Sequence, residues 1–168
     1  TTSVAGLHVP SFALWASMYG RCLRIAINNG FCFAGNAALF GSADIRIATK
    51  NSWIGMAGPA MIEGGGLGKF DPKEIGPSDT QKNNGVIDYV AEDEKEATII
   101  AKKILSYFQG DIKDWKADDQ TQLSNIMPKD RRWSYPVRDI IKIISDIEQF
   151  TEIRSEYGKG IVSCFIRI

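Results

Sequence analysis

The chain has 168 residues, 44% hydrophobic and 24% charged, and its 20 basic and 20 acidic side chains cancel. That is the composition of about one ordinary globular domain with a substantial core. Balanced charge removes the bulk electrostatic case for nucleic acid or an anionic membrane as partner, and no run approaches the ~18 apolar residues of a membrane-crossing helix.

Taken in order, residues 10–20 read as a helix. Phe12, Trp15 and Tyr19 share a face, and Gly20 stops it. Leu23–Asn28 alternates as a strand does, and Asn29-Gly30 reads as a turn or a strand exit. Ala34–Phe40, small and apolar, reads as a buried helix opening after a glycine-containing loop. Asp44–Thr49 is a second strand and Trp53–Met56 a short third one. Residues 57–85 hold seven glycines and three prolines and read as a long loop with one short helix. Val86–Val90 is a strand again.

The plainest helix follows. Asp93 caps it with Glu96 in the capping-box position. Ala97, Ile100, Ala101, Ile104, Leu105 and Phe108 form one apolar stripe, and Gly110 ends it. Residues 111–135 are polar and read as a linker. Pro136 opens a helix carrying Val137, Ile140, Ile141 and Ile144, and Tyr157–Gly160 turns into a final strand at Ile161–Ile168. The expected organisation is one α/β unit over about 1–110, a linker at 111–135 and the start of a second unit at 136–168. The chain opens at Thr1 without a Met and stops inside an apolar run, which predicts a segment of a longer chain.

Few residues suggest side-chain chemistry. Cys22, Cys32 and Cys164 are too few and scattered for a disulfide framework and form no CxxC pair, so no metal is expected and a reducing, intracellular setting is. No signal peptide is evident. The lone histidine, His8, reads as a surface residue. HExxH, GxSxG and a phosphate-binding Lys-Ser/Thr after Gly64-Gly65-Gly66 are all missing. What stands out is Asn29-Gly30-Phe31-Cys32-Phe33-Ala34-Gly35-Asn36-Ala37-Ala38, a strand running into small residues that open a helix. The first N–H groups of a helix lack intrahelical partners and carry the positive end of its dipole. Such donors suit an oxyanion hole for an enolate or alkoxide. The competing explanation is that the small residues merely let the helix pack closely on the strands.

These residues carry a resemblance. Gly30–Ala37 resembles the Gly-x-Cys…Ala-Gly-Gly-Ala segment of the carboxyltransferase component of biotin-dependent acyl-CoA carboxylases, the propionyl- and acetyl-CoA carboxylase β-subunit type. Gly58-Pro59-Ala60-Met61-Ile62 resembles the family's Gly-Pro segment. Gly85–Glu94 with the helix ending Leu105-Ser106-Tyr107-Phe108 is the most specific match, and Tyr157–Val162 resembles the opening of the family's second domain. The resemblance implies a crotonase (ClpP)-like α/β spiral of ββα units, with residues 1–110 as a partial acyl-CoA-side domain and 136–168 as the truncated start of a second.

It further implies transfer of a carboxyl group from carboxybiotin to the α-carbon of an acyl-CoA, with backbone N–H groups stabilising the thioester enolate. By resemblance, Gly35 and Asn36 occupy the oxyanion position, with Asn in place of the family's second Gly. Phe33, Ala34, Gly58 and Pro59 line the acyl site. Biotin is carried on a partner, acyl-CoA is the substrate, and no metal is called for. The implied partners are biotin carboxyl carrier and biotin carboxylase components and further copies of the chain, a hexamer in the family. The implied location is the cytoplasm, or a mitochondrial matrix or plastid. Two alternatives stay open. One is a crotonase-fold decarboxylase, hydratase or isomerase with Glu63 as its acid/base, and the other a non-catalytic assembly subunit.

Overall fold

The computed structural model describes residues 9–130 and 132–168. The chain forms two compact units, one ending at Thr98 and one spanning Ile99–Ile168.

The first unit is built on three parallel strands, β1 (Ile25–Phe33), β2 (Ile45–Gly55) and β3 (Tyr89–Ala91), in the order β1-β2-β3. Helix α1 (Pro10–Ser17) precedes β1, and α2 (Gly35–Gly41) connects β1 to β2. Cys32, Ala37, Phe40, Ala48, Ile54 and Ile87 form the buried cluster between α2 and the sheet. Small residues at 37 and 38 let α2 approach the strands closely, as the packing explanation required.

Register is pinned at the N-terminal ends of the strands by two matching ion pairs. Asp44, just ahead of β2, accepts from the Arg24 backbone N–H (2.9 Å), Nε (3.1 Å) and Nη2 (2.9 Å). Asp88, just ahead of β3, accepts from the Arg46 backbone N–H (2.8 Å), Nε (2.9 Å) and Nη2 (3.0 Å). Each carboxylate thus holds both the backbone and the side chain of an arginine at the start of the preceding strand. That arrangement resists slippage better than apolar contact alone.

Four departures from the expected elements stand out in the first unit. Asn29-Gly30 is no turn: β1 runs through it, and the register with β2 shifts between Asn28 and Gly30, where Gly30 has φ 94°. Ser52 Oγ donates to the Asn28 carbonyl (3.0 Å) and Thr49 Oγ1 to Asn29 Oδ1 (2.7 Å), so the irregular step is held by side chains of the neighbouring strand. Second, the two expected strands at 44–56 are one strand, β2, whose partner β1 is long enough to pair along it. Third, residues 57–85 hold α3 (Pro59–Gly64), a 3-10 turn at Pro72–Glu74 and α4 (Ser78–Asn83), where one short helix was expected. Fourth, the strand expected at 86–90 begins only at Tyr89, because Ile87 is a buried core residue and Asp88 is taken by Arg46.

Helix α5 (Glu94–Ser106) starts as predicted, with Asp93 Oδ1 accepting from the Glu96 N–H (2.8 Å). The Glu96 carboxylate accepts from the Glu92 N–H (2.7 Å) and the Tyr89 hydroxyl (3.2 Å) instead of closing the box on Asp93. Of the stripe, Ala97, Ala101 and Ile104 are buried, while Leu105 and Phe108 are exposed.

In the second unit, the expected linker 111–135 contains a 3-10 turn at Gln120–Gln122 and α6 (Leu123–Ile126). Ala117 in it bridges to Asp146. Helix α7 (Val137–Ile144) leads to β4 (Phe150–Ile153), which the sequence did not announce. It pairs antiparallel with β5 (Ser163–Ile166), the expected final strand. Phe165 stacks on Tyr107 and meets Phe108 edge-on, and the Tyr107 hydroxyl bonds Thr151 Oγ1 (2.9 Å).

Candidate active site

Parallel strands bring their C-terminal ends to one edge of the sheet, the side on which open α/β sheets bind ligands. Phe33 at the end of β1 stands opposite Gly55 at the end of β2. Beyond Phe33 the chain turns sharply into α2 through Ala34, at φ 53° and ψ −121°. A residue with a Cβ avoids that conformation, and such strain collects at functional sites. The turn is fixed by two backbone bonds: the Ala34 N–H donates to the Gly55 carbonyl (3.1 Å), and the Ala34 carbonyl accepts from the Ala38 N–H (3.0 Å). The N–H groups of Gly35 and Asn36, in the first turn of α2, therefore have no acceptor within the helix.

The chain leaving β2 returns to the same place. Gly58 caps α3 and Pro59 is its first residue. A Cβ on Gly58 would lie 3.4 Å from the Phe33 ring, an ordinary contact, so this turn packs directly against the aromatic. Phe33, Ala34, Gly35, Gly58 and Pro59 thus meet where the two strands end. Against Gly35 itself sits Phe12 of α1, whose Cζ would be 3.0 Å from an added Cβ. Trp15 Nε1 donates to the Leu39 carbonyl (3.0 Å), and Arg24 lies over the Trp15 and Tyr19 rings, which ties the predicted aromatic face of α1 to the unit.

Asn36 also lines a cleft of about 470 Å³ along the outer edge of β1, with Ser11, Trp15, Asn28, Phe31 and Leu39, which neither Phe33 nor Gly58 lines. Glu63, the candidate acid/base of the alternative reading, is well exposed and paired with Lys69 (2.9 Å). Cys32 is in the core, where burial pushes its thiol above the ordinary value. His8 lies outside the described residues. Among the described residues no three His, Cys, Asp or Glu side chains form a metal-binding group, and no helix is long and apolar enough to cross a membrane.

The sequence reading missed Phe12 on Gly35 and an aromatic row beside Phe33. Phe31 meets Trp53 (centroids 4.9 Å) and Phe33 (5.7 Å), each at a tilt of 31°. The alternation Phe31-Cys32-Phe33 was the available signal, since period two puts both rings on one face.

The chain is similar to several known proteins. The methylmalonyl-CoA carboxyltransferase 12S subunit of Propionibacterium freudenreichii subsp. shermanii is 30% identical over 86% of this chain and 29% of its own length. The β1 subunit of a biotin-dependent 3-methylcrotonyl-coenzyme A carboxylase of Mycobacterium tuberculosis is 26% identical over the same shares. Among solved structures, a single-chain, multi-domain long-chain acyl-CoA carboxylase superposes with a TM-score of 0.91 at 46% identity, over 97% of this chain and 17% of that one. A transcarboxylase 12S hexamer with hydrolysed methylmalonyl-coenzyme A bound gives 0.79 at 28% identity, over 94% of this chain and 32% of that one. The chain therefore spans less than a third of the length of these relatives, and its fold is the crotonase-like fold of carboxyltransferases. The family of the carboxyl transferase domain matches residues 9–168 throughout, and the chain belongs to it.

Proposed function

We propose that this chain forms the acyl-CoA side of a biotin-dependent carboxyltransferase, with residues 136–168 opening the second, biotin-side half. The observation that carries the reading is the turn at Ala34, with the N–H groups of Gly35 and Asn36 left without helical acceptors at the end of two parallel strands. A thioester carbonyl placed there accepts from both donors, and they strengthen as the α-carbon loses its proton and negative charge moves onto the oxygen. Fixed backbone dipoles do this without reorganising, and a single such donor is worth about 10²–10³ in rate in well-studied hydrolases. Asn in the place of the family's second Gly keeps the backbone donor.

The residues at the turn are backbone donors and apolar side chains, a set suited to a thioester and not to holding biotin. Carboxybiotin, when bound, supplies the carboxyl group, and its carrier and the biotin carboxylase are the partners of this reading, together with further copies of the chain in the cytoplasm or an organelle matrix. The similarity to a long-chain acyl-CoA carboxylase supports a long acyl thioester as substrate.

Titration calorimetry of the full-length protein with butyryl- and palmitoyl-CoA tests the reading. Binding is expected, together with at least a tenfold loss in Gly35→Val, whose Cβ is driven against Phe12. Absence of heat with every acyl-CoA overturns it.

A further inference from the structure

β3 pairs with β2 along Ile47–Thr49. Beyond Thr49 the same side of β2 is closed by residues 76–81, which take the place of a strand. Ser78 Oγ donates to the Lys50 carbonyl (2.8 Å), and Trp53 bridges antiparallel to Pro77. The Ile54 N–H donates to the Gly76 carbonyl (2.7 Å), and Gln81 Nε2 of α4 donates to the Ile54 carbonyl (2.5 Å), 27 residues back in the chain. Successive residues of a strand present their backbone groups to opposite sides. Ile54, which is buried, therefore faces residues 76–81, and the Gly55 carbonyl faces β1, where it accepts from the Ala34 N–H (3.1 Å).

We infer that Gln81 is a positioning residue for the N–H donors of Gly35 and Asn36. The inference rests on the carboxyltransferase reading above, and Gln81 acts through the end of β2. A peptide group is planar, so the Ile54 carbonyl and the Gly55 N–H turn together. Gly76 holds the peptide plane on one side of Ile54, and Gln81 holds the plane on the other. The next plane carries the Gly55 carbonyl, and it is joined on through a glycine, the residue that restrains such a joint least. A Cβ at Gly55 would lie 3.0 Å from the Ile75 methyl, so a side chain there could not supply the restraint without pushing Ile75 aside. The Gly55 carbonyl fixes the Ala34 N–H. The Ala34 carbonyl, held by the Ala38 N–H (3.0 Å), lies in one plane with the Gly35 N–H. Ala34 joins these planes at φ 53° and ψ −121°, a conformation that persists only while its surroundings hold it. The direction of the Gly35 N–H is thus set by a chain of bonds that ends at Gln81. Every other member of that chain is backbone, so Gln81 is where a substitution reaches the donors without altering the main chain.

The test uses the full-length protein with butyryl-CoA and palmitoyl-CoA, each isotope-labelled at the thioester carbonyl. Infrared difference spectra at saturating ligand read how strongly the donors polarise the bound carbonyl. For the better of the two substrates, kcat is measured with the biotin partners and expressed per site counted by calorimetric titration, so unfolded protein does not mimic the effect. Gln81→Met keeps the length and loses the donor. It is expected to show a smaller carbonyl shift and a fall in kcat of about tenfold with KM unchanged, less than the loss of a whole donor because the donors are misaimed and not removed. Gln81→His, whose ring N–H reaches about as far, restores most of both. Ser78→Ala breaks the other side-chain bond of the segment, at Lys50, and leaves both as in the wild type. A Gln81→Met protein with the wild-type carbonyl band and kcat overturns the inference, and so does a lack of recovery in Gln81→His. An equal loss in Ser78→Ala also overturns it, because residues 76–81 then only close the sheet. If Gln81→Met does not fold, the isosteric Gln81→Glu is read in its place, since an ionised carboxylate has no proton to donate. If that also fails to fold, Gln81 is an anchor of the fold and the inference falls. A wild type that binds an acyl-CoA without shifting its carbonyl band refutes the oxyanion hole itself, and one that binds neither refutes the carboxyltransferase reading.

Discussion

Gly76 offers the sharpest test of how the C-terminal end of β2 is held. It sits in the long segment after α3 at φ +59°, and its carbonyl accepts from the buried Ile54 N–H at 2.7 Å. In Gly76→Ala the new Cβ would lie 1.9 Å from the Ile54 carbonyl oxygen and 2.7 Å from Gln81 Nε2. Real contacts of this kind stay beyond 3.0 Å, so backbone must move from backbone by about an ångström. That displacement breaks the Ile54-to-Gly76 bond and the Gln81 Nε2 bond to the Ile54 carbonyl (2.5 Å). Two buried groups left short of partners cost about 1–3 kcal/mol each, and alanine in a left-handed conformation about 1 more. The expected loss is therefore about 3–7 kcal/mol, or a fall in Tm of about 10–20 °C for a chain of this size. Urea denaturation followed by tryptophan fluorescence, with calorimetry, reads it. Gly64→Ala is the control: an added Cβ there meets nothing within 4 Å, and stability should change by no more than about 0.5 kcal/mol. A Gly76→Ala protein within about 1 kcal/mol of the wild type refutes the reasoning, because the segment must then yield without strain.

Other expectations concern the arginine–carboxylate pairs. Asp88→Asn removes the charge that accepts three bonds from Arg46 and should cost about 2–4 kcal/mol in chemical denaturation. Breaking the exposed pair of Asp130 with Arg132 should change stability far less in the same assay, and equal costs would undo the burial argument. The side-chain hydrogen bond from Arg24 holds Asp44 below the usual carboxylate range, and that from Arg138 does the same for Glu152. A carboxylate that is more acidic folded than unfolded adds stability above its unfolded pKa, and loses it as pH falls through the lowered folded value. Stability should thus decline below about pH 4, and Asp44→Asn should flatten that acid limb. A limb of unchanged slope would assign the decline to other groups.

Local pattern was enough for the elements whose cause is local. The capped, striped helix α5 begins where Asp93 and Glu96 place it, and the helix after Pro136 and the final strand lie where turn chemistry and apolar runs put them. The small-residue opening of α2 was legible too, because a helix start is defined by a few consecutive residues. Asn29-Gly30 misled because a dipeptide that favours a turn can equally form an irregular step inside a strand. Ser52 and Thr49, 24 and 20 residues away in sequence from the partners they bond, decide which. β4 went unseen because Phe150–Ile153 acquires its strand character from β5.

For the site, the sequence determined the glycines, the strand-to-helix junction and, through the order of three motifs, the family. Only the tertiary structure decided that Ala34 carries the strained turn, that Phe12 lies against Gly35 and that Asn36 and Phe31 share a cleft along the edge of β1. It also decided that Phe31, Phe33 and Trp53 form one surface. The physical reason is common to all of these. Backbone strain and side-chain neighbours at a strand end are set by the pairing of β1 with β2, and parallel pairing joins residues that the chain itself keeps far apart.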